Sequence, residues 1–393
     1  MSTKVTRKFD VVIFGATGFT GGLTAEYLAR WGGENLRWAL AGRNLDKLAA
    51  VRQRLVKINP ACRALELLQA DVADAAAILR VAESAKVVIT TVGPYLNFGE
   101  PLVAACAAAG TDYVDLTGEP EFVDSMWLKY HAQAVKSGAR IVNCCGFDSI
   151  PHDLGVLFTV QQLPENVPLK IEGFVRAGGK FSGGTFHSAI TAMSRMREGS
   201  KIAKQRRELD QLPIGRKIAS TREKIHYDSY FKSWAVPMPT IDPQIVRRSA
   251  AANDRYGPDF RYGHFMLLKH LPQVGGLLAV VSGMFVGAQF SLTRNRLLAM
   301  ISPGEGPDEA RRAKSWFKVR FIGEGGGQRV VTEVAGGDPG YGETSKMLAE
   351  SALCLAFDSL PKHGGVLTPA QAMGDKLLAR LQAKDISFSV ISE

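Results

Sequence analysis

The chain has 393 residues, of which 46% are hydrophobic and 22% are charged, and its formal net charge is +10. This length predicts two domains or one domain with a large insertion, and this composition excludes a disordered chain. The five cysteines show no paired C-x-x-C spacing and MSTKVTRK leads straight into the first strand, so we expect a reduced cytoplasmic protein without a disulfide framework or signal peptide.

A glycine-rich turn follows the first predicted strand, residues 11–14. Gly15, Gly18 and Gly21 have a G-x-x-G-x-x-G spacing, and a helix-like run comes next. Such glycines allow a tight turn and close approach of the backbone to a pyrophosphate at a helix N-terminus. The pattern predicts a dinucleotide site, with an ordinary turn as the alternative. The predicted cofactor-binding residues here are Gly15, Ala16, Thr17, Gly18, Phe19, Thr20 and Gly21.

The second predicted strand, residues 36–41, indicates which dinucleotide binds. NAD-preferring folds carry an acidic residue near this point, whereas this chain has Arg43 followed by Asn44. A guanidinium pairs well with a ribose 2′-phosphate and stacks on adenine. We therefore predict that NADP (NADPH) is the cofactor and that Arg43 and Asn44 bind it. The alternative is that Arg43 is a surface arginine at a strand end.

Strands and helices alternate up to about residue 150. Further strands are predicted at 64–69, 87–91, 113–116 and 140–143, and helices at 44–57, 73–84, 100–109 and 121–137. This alternation predicts an α/β fold with an N-terminal Rossmann domain, whose sheet is parallel and doubly wound.

Ligands of such sheets bind at the carboxyl ends of the strands, so the segments after each strand are candidate site residues. Asp71 is expected near the adenine, although it is equally suited to cap the next helix. The run after the fourth strand is expected beside the ribose and nicotinamide. Its predicted cofactor-binding residues are Thr91, Val92, Gly93, Pro94 and Tyr95. Residues 115–119 and 145–153 are expected at the same edge.

The pattern changes after residue 153. Strand candidates at 169–175, 316–321 and 328–334 flank long, basic, irregular segments, which predicts an α+β substrate domain with a mainly antiparallel sheet. Helices at 344–357 and 368–382 are expected to return to the first domain. The predicted domains are residues 1–153 (NADP-binding), 154–340 (substrate) and 341–393 (C-terminal helices packing on the Rossmann domain).

Residues 274–292 form an uncharged segment of 19 residues inside the predicted substrate domain. Its length reaches the lower limit for a membrane span, and Lys269, Arg294 and Arg296 flank it. A buried core helix, an interfacial helix and a span are all consistent with it. We favour a membrane-touching or oligomer-packing helix, because a span would place the two sides of one domain across a membrane. Cytoplasmic localisation with peripheral attachment to the inner membrane, and a homo-oligomer, follow as expectations.

Positive charge is concentrated in the second part of the chain. Residues 1–150 hold 16 basic and 15 acidic side chains, and the remainder holds 32 and 23. Residues 195–224 alone hold ten basic and four acidic ones. An anionic membrane surface or an anionic thioester carrier fits such a patch, as does a simple solvated helix face. Without interleaved aromatic or glycine residues, a nucleic-acid partner is not expected.

Five motifs together resemble those of the saccharopine dehydrogenase-like oxidoreductases, with the trans-acting enoyl reductases as the nearest subgroup. They are GATGFTG (15–21), AGRN (41–44), TTVGPY (90–95), DYVDLTGE (112–119) and CGFDSIPHDLG (145–155), and the similarity extends to GVLTPAQAMGDKLLARL (365–381). The resemblance implies an NADP-binding Rossmann domain joined to an α+β domain, and reduction of a lipid-like substrate.

The leading functional hypothesis is NADPH-dependent reduction of an enoyl group in a lipid or polyketide-like thioester. Tyr95, Asp148 and His152 are the candidate catalytic residues, because all three are expected near the nicotinamide. His152 suits proton donation near neutral pH, and a core or capping role is the alternative. Asp148 is equally suited to cap a helix, and Tyr95 to pack on the cofactor. Tyr341 is expected to reach the site from the second domain.

Two rival functions remain open on the sequence. A saccharopine-type amino-acid dehydrogenase needs cationic groups that hold substrate carboxylates, for which Arg176 and Arg247–Arg248 are candidates. A catalytically silent NADP-binding protein at a lipid or membrane surface is the other. No metal is expected, because zinc-ligand spacings such as H-E-x-x-H are absent, and no hydrolase G-x-S-x-G motif is present.

Overall fold

A computed structural model of the chain describes residues 6–178, 183–210, 212–221, 224–300 and 308–391, and these form two compact units. Elements are numbered along the chain. Unit 1 consists of Met1–Thr117, Phe122–Gly146 and Tyr341–Leu367. Unit 2 consists of Gly118–Glu121, Phe147–Gly340 and Thr368–Glu393.

Unit 1 is built on a parallel sheet, which has seven strands in the described ranges. These are β1 (Phe9–Phe14), β2 (Trp38–Gly42), β3 (Glu66–Gln69), β4 (Ala85–Thr90), β5 (Asp112–Val114), β6 (Arg140–Val142) and β14 (Gly365–Leu367). Their order is β14-β6-β5-β4-β1-β2-β3. Val12 of β1 pairs with Ala39 of β2 on one side and with Val88 of β4 on the other. Strands β2 and β3 therefore extend the sheet to one side of β1, and β4 to β6 extend it to the other.

Both faces of this sheet are covered, which explains the continuous apolar runs in its central strands. Every residue of β1 and β2 is buried. The covering helices are α1 (Phe19–Trp31), α2 (Leu45–Ile58), α3 (Ala75–Ser84), α4 (Tyr95–Phe98), α5 (Glu100–Ala109), α6 (Pro120–Ser137) and α14 (Gly342–Phe357). The predicted doubly wound parallel sheet is confirmed. The short strand β14 was not predicted.

Unit 2 is built on a mixed sheet. Its strands in the described ranges are β7 (Leu169–Gly178), β8 (Lys217–Ser220), β9 (His226–Asp228), β10 (Ser233–Pro237), β11 (Asp259–Leu268), β12 (Trp316–Gly325), β13 (Gln328–Gly336) and β15 (Ser387–Val390). The order is β15-β13-β12-β7-β11-β10-β9, with β8 beside β11. Strand β11 pairs in parallel with β7 and β8, and the remaining pairs are antiparallel. This agrees with the predicted α+β domain.

Unit 2 also contains helices. They are α7 (Ile150–Gln161), α8 (Gly183–Ser194), α9 (Met196–Leu209), α10 (Asp242–Ala252), α11 (Leu271–Gln289), α12 (Ser291–Ala299), α13 (Glu309–Arg312), α15 (Pro369–Ala372) and α16 (Gly374–Gln382). Of these, α7, α10, α11 and α16 contact the strands of the second sheet. Helix α9 lies where the sequence suggested irregular structure. None of its residues is fully buried, and its basic side chains are mostly solvated, with Arg206 (11% exposed, paired with Asp210) as an exception.

The unit boundaries differ from the predicted domains in two places. Residues 147–153 cluster with unit 2, because α7 packs on β12 and β13. Of the predicted C-terminal segment, Tyr341–Leu367 joins unit 1, whereas Thr368–Glu393 joins unit 2. The physical reason is that β15 pairs with β13, with Val334 opposite Phe388.

The uncharged segment forms α11 and the start of α12. Most of the α11 side chains are exposed, with Val274 and Ala288 as its buried residues. The alternative of a buried core helix is therefore wrong. All five cysteines are free and buried, as expected for a chain without a disulfide framework.

Candidate functional site

The glycine turn joins β1 to α1 in a conformation that requires glycine. Gly15 has φ +92°, and a Cβ there would lie 2.6 Å from Cγ2 of Val92. A Cβ on Gly21 would lie 2.3 Å from the carbonyl oxygen of Gly15. The first helical turn of α1 therefore packs tightly against the backbone of the glycine turn. Gly18 is the N-cap residue of α1. This geometry aims the helix N-terminus at the turn, where a phosphate binds best.

Arg43 follows β2 with 79% of its side chain exposed. Its Nε atom lies 3.9 Å from Oδ2 of Asp71, whose Oδ1 accepts a hydrogen bond from the N–H of Ala73. Asn44 caps α2 by accepting a hydrogen bond from the N–H of Lys47. Arg43 is thus available for an anionic ligand, whereas Asn44 has a structural task in addition to its predicted cofactor contact.

The segment after β4 lies against the glycine turn. The hydroxyl of Thr91 donates to the Gly15 carbonyl at 3.2 Å. The buried Tyr95 hydroxyl donates to the carbonyl of Thr90 at 3.2 Å and accepts from the N–H of Leu116 at 3.4 Å. Tyr95 therefore connects the ends of β4 and β5. Its predicted catalytic role stays a prediction, and the structure gives it this tethering role.

Tyr341 belongs to unit 1, so its predicted arrival from the second domain is wrong. Its ring packs edge-on against Phe19 at a centroid distance of 4.8 Å, and it precedes the first residue of α14. This contact places Tyr341 at the N-terminus of α1. Nothing in the local sequence indicates this contact, because Phe19 and Tyr341 lie near opposite ends of the chain.

Asp148 and His152 lie at the start of α7 in unit 2. Ser149 occupies the N-cap position without a side-chain cap, so the alternative role of Asp148 as the helix cap is wrong. His152 is buried, as its core alternative supposed. Its Nδ1 atom lies 3.1 Å from Oδ1 of Asp242, the first residue of α10.

A second histidine completes this buried cluster. Nε2 of His264 on β11 lies 3.6 Å from Oδ2 of Asp242, and Nδ1 of His264 is 3.0 Å from the hydroxyl of Tyr262. The hydroxyl of Thr240 donates to the same Asp242 oxygen. Sequence reasoning missed Asp242 and His264. Only the fold brings them to His152, because their elements are far apart along the chain.

Opposed effects set the charges of this cluster. Burial alone would lower the pKa of His152, but the carboxylates of Asp242 and Asp148 and a hydrogen bond with the Phe147 backbone together raise that pKa. Burial would raise the pKa of Asp242, but the cationic His152 lowers it. Burial and the charge on His152 lower the pKa of His264 to about 3. Asp242 therefore favours the cationic form of His152, and the two side chains lie beside a neutral His264.

Asp148 is the group of this cluster that titrates near neutrality. Burial, followed by repulsion from Asp242, raises the pKa of Asp148 to about 7, while the cationic His152 opposes the shift. A carboxyl with this pKa is suited to donating and accepting a proton at neutral pH. Asp148 and His152 together form a candidate acid–base site.

The ligand atoms of His152, Asp242 and His264 all lie within 4.8 Å of one another, a spacing that a divalent ion can bridge. The separation of 3.1 Å between Nδ1 of His152 and Oδ1 of Asp242 is that of an ion pair, and we interpret the cluster in that way. The expectation that the protein holds no metal stays a prediction, which metal analysis of the purified protein can check.

Comparison with known proteins agrees with this geometry. Residues 11–142 match the model of the saccharopine dehydrogenase NADP-binding domain. A Bos taurus saccharopine dehydrogenase-like oxidoreductase is 33% identical, over 98% of both chains. The chain belongs to the saccharopine dehydrogenase-like oxidoreductase family. It is an NADP-dependent oxidoreductase, and the predicted cofactor and enzyme class are confirmed.

Two relatives and one solved structure extend the comparison. A Mycobacterium tuberculosis protein, named provisionally as a trans-acting enoyl reductase, is 39% identical over 98% of both chains. A Mycobacterium ulcerans trans-acting enoyl reductase is 36% identical over the same share. The fold is similar to that of saccharopine dehydrogenase (L-Glu forming) from Saccharomyces cerevisiae, with a TM-score of 0.55 at 13% identity, covering 98% of this chain and all of that one.

The glycine turn and Arg43 fit NADP as a bound cofactor. The absence of a side chain at Gly15 and Gly21 lets the backbone of the turn approach a pyrophosphate. Arg43 offers an exposed guanidinium that suits the 2′-phosphate, and its Nε atom lies 3.9 Å from Oδ2 of Asp71. The cofactor is confirmed, whereas the assignment of its contacts to the glycine turn and Arg43 stays a prediction.

Proposed function

We propose that this oxidoreductase reduces the α,β-double bond of an acyl thioester with a lipid-like chain. The observation that carries the proposal is the end-to-end similarity to proteins named trans-acting enoyl reductases, at 36% and 39% identity. When bound, NADPH supplies a hydride for the β-carbon. The protein must then deliver a proton to the α-carbon and stabilise the negative charge that develops on the thioester oxygen.

Asp148 and His152 are the residues to which we assign the proton chemistry. Because the pKa of Asp148 is about 7, a large share of its carboxyl groups carries a proton at neutral pH. Asp242 favours the cationic form of His152, so His152 is suited to stabilising negative charge next to the acid. Proton transfer from Asp148 to the α-carbon leaves its carboxylate beside this cation, and solvent restores the proton.

The saccharopine-type alternative requires cations that are free to hold substrate carboxylates. Arg248 is buried, and its charge acts on the carboxyl of Asp153. Arg247 contacts the hydroxyl of Ser220. Two of the three candidate arginines thus have partners within unit 2. This favours a substrate without several carboxylates, and hence the enoyl thioester.

A comparison of acceptors tests the proposal. Purified protein is mixed with NADPH and with either trans-2-enoyl thioesters of increasing chain length or 2-oxo acids plus an amine. We expect NADPH oxidation with the thioesters, at rates that rise with chain length. Turnover confined to the amine mixtures would establish the amino-acid dehydrogenase reading instead. NADPH binding without oxidation in either series would indicate the silent NADP-binding protein.

A further inference from the structure

Helices α11 and α12, residues Leu271–Ala299, form an apolar hairpin on the surface of unit 2. A sharp bend at Phe290 joins them, and Gly287 allows their close contact, since a Cβ there would lie 3.0 Å from Leu297. The hairpin leaves many large apolar side chains exposed. They are Leu271, Leu278, Val280, Val281, Phe285, Val286, Phe290, Leu292 and Met300, the last just beyond α12.

The exposed apolar surface is organised along the helix. Leu271, Leu278 and Phe285 recur every seven residues, which places them on one side of α11. A Cβ at Gly275 or Gly283 would meet no described atom within 4 Å. These glycines therefore do not serve contacts inside the described chain. Exposed apolar surface of this extent is typical of an interaction site.

The hairpin is attached to unit 2 along the length of α11. Val274 and Ala288, near its two ends, are both buried. The amide of Gln289 donates to the carbonyl of Met193 on α8 at 3.0 Å. A helix of this length could cross the apolar layer of a membrane, at about 1.5 Å per residue. Crossing would break both end contacts, whereas lying flat in an interface preserves them.

The charges around the hairpin specify the kind of interface. No Asp or Glu occurs from residue 260 to residue 304, while Lys269, Arg294 and Arg296 flank the apolar stretch. The exposed helix α9, which follows α8 directly in the chain, is also rich in basic residues. Apolar side chains bordered by cations match the acyl chains and headgroups of an anionic lipid surface.

We propose that the apolar hairpin docks unit 2 on an anionic phospholipid surface, with α11 lying in the plane of the interface. The exposed side chains of α11 enter the boundary between headgroups and acyl chains. Lys269 and Arg296 pair with lipid phosphates. The docking is independent of the proposed reaction, since it requires neither NADPH nor an enoyl substrate.

Vesicle flotation tests the docking with the full-length protein. Phosphatidylglycerol/phosphatidylcholine vesicles are compared with phosphatidylcholine alone. The double variant Leu278→Gln/Phe285→Gln should partition more weakly into vesicles, with a loss of at least about tenfold for each replaced side chain. Lys269→Gln/Arg296→Gln should reduce it about fivefold per charge, and only on the anionic vesicles. In Phe285→Trp, brominated acyl chains should quench the tryptophan emission.

Matched variants on unit 1 control for altered surface polarity. Leu79→Gln/Val135→Gln replaces side chains that are 38% and 52% exposed, close to the 45% and 39% of Leu278 and Phe285. This pair should bind vesicles like the wild type, and all variants should bind NADPH equally. The proposal would be overturned if the wild type bound neutral and anionic vesicles equally, or if the hairpin variants bound vesicles as well as the wild type. So would a dimer in sedimentation velocity that the hairpin variants convert to monomer without any vesicle binding.

Discussion

We propose that Arg43 decides between the two nicotinamide dinucleotides. Its guanidinium is exposed at the end of β2, so a 2′-phosphate would add a charge-assisted contact that NADH cannot make. Arg43→Ala should raise the dissociation constant for NADPH about 10- to 100-fold, corresponding to about 1.5–3 kcal/mol, and change that for NADH little. Titration of cofactor fluorescence measures both constants. As a control, Arg80→Ala replaces an exposed arginine on α3 and should leave both dissociation constants unchanged. Equal weakening of NADPH and NADH binding in Arg43→Ala would contradict the assignment of Arg43 to the 2′-phosphate.

Asp148 gives the proposed reaction a defined pH dependence. Its folded-state pKa is raised to about 7, and in the proposed reaction its acid form donates the proton. The value of kcat/KM should therefore be constant below this pH and fall as the pH rises through about 7. The observed pKa belongs to the coupled group of Asp148, His152, Asp242 and His264.

Asp148→Asn removes the acid while keeping the shape of the side chain. We expect kcat/KM to fall about 10²- to 10⁴-fold and the decline at high pH to disappear. Asp46→Asn, at an exposed position on α2, is the matched control and should retain the wild-type profile. NADPH affinity measured in parallel checks that unit 1 is intact. A variant that keeps both its rate and its decline above pH 7 would rule out Asp148 as the donor.

Residue roles could be predicted from the sequence only where the partners are close along the chain. The glycine turn at Gly15 to Gly21 and the exposed position of Arg43 were predicted, because one strand, one turn and the next strand define their surroundings. The environment of His152 was not found, since Asp242 and His264 reach it through α10 and β11. Nothing in the local sequence of either residue indicates that contact.

At the scale of elements, α1 shows why two adjacent glycines differ. A Cβ on Gly21 would lie 2.3 Å from a backbone oxygen, whereas one on Gly22 would meet the flexible end of Arg54 at 3.1 Å. Gly21→Ala should lower the free energy of unfolding by about 1–3 kcal/mol and weaken NADPH binding. Gly22→Ala should be neutral or stabilising by up to about 1 kcal/mol, because alanine is the better helix former. Thermal unfolding of both variants measures the difference, and equal effects would contradict this packing.

The sequence predicted the elements of unit 1 better than those of unit 2. Buried parallel strands give apolar runs, and each is followed by a helix, so β1 to β6 are readily visible. Strand β14 is only three residues long and joins β6 from a distant part of the chain. In unit 2, the short strands β9 and β10 pair with each other, but their sequences show little alternation of apolar and polar residues. Helix α9 has no buried residues, so its sequence lacks the apolar stripe that indicates a helix.

At the scale of the whole molecule, the chain builds unit 1, forms most of unit 2, returns to unit 1 and finishes in unit 2. The return at Tyr341–Leu367 adds α14 and β14 to the Rossmann sheet, and the final passage adds β15 to the mixed sheet. A boundary drawn along the sequence cannot represent this path. The assignment of residues 368–382 to the first domain failed for this reason.

The proposed reaction is the NADPH-dependent reduction of a carbon–carbon double bond, with a proton from the protein. Its most direct test is isotope placement: the protein is supplied with a trans-2-enoyl thioester and NADPH carrying deuterium on the transferable position of C4, and the product is analysed by mass spectrometry and NMR. We predict one deuterium at the β-carbon, and one at the α-carbon when the solvent is D₂O and the cofactor is unlabelled. A saturated product without cofactor deuterium, or label found only on an amine-bearing carbon formed from a 2-oxo acid, would contradict the account.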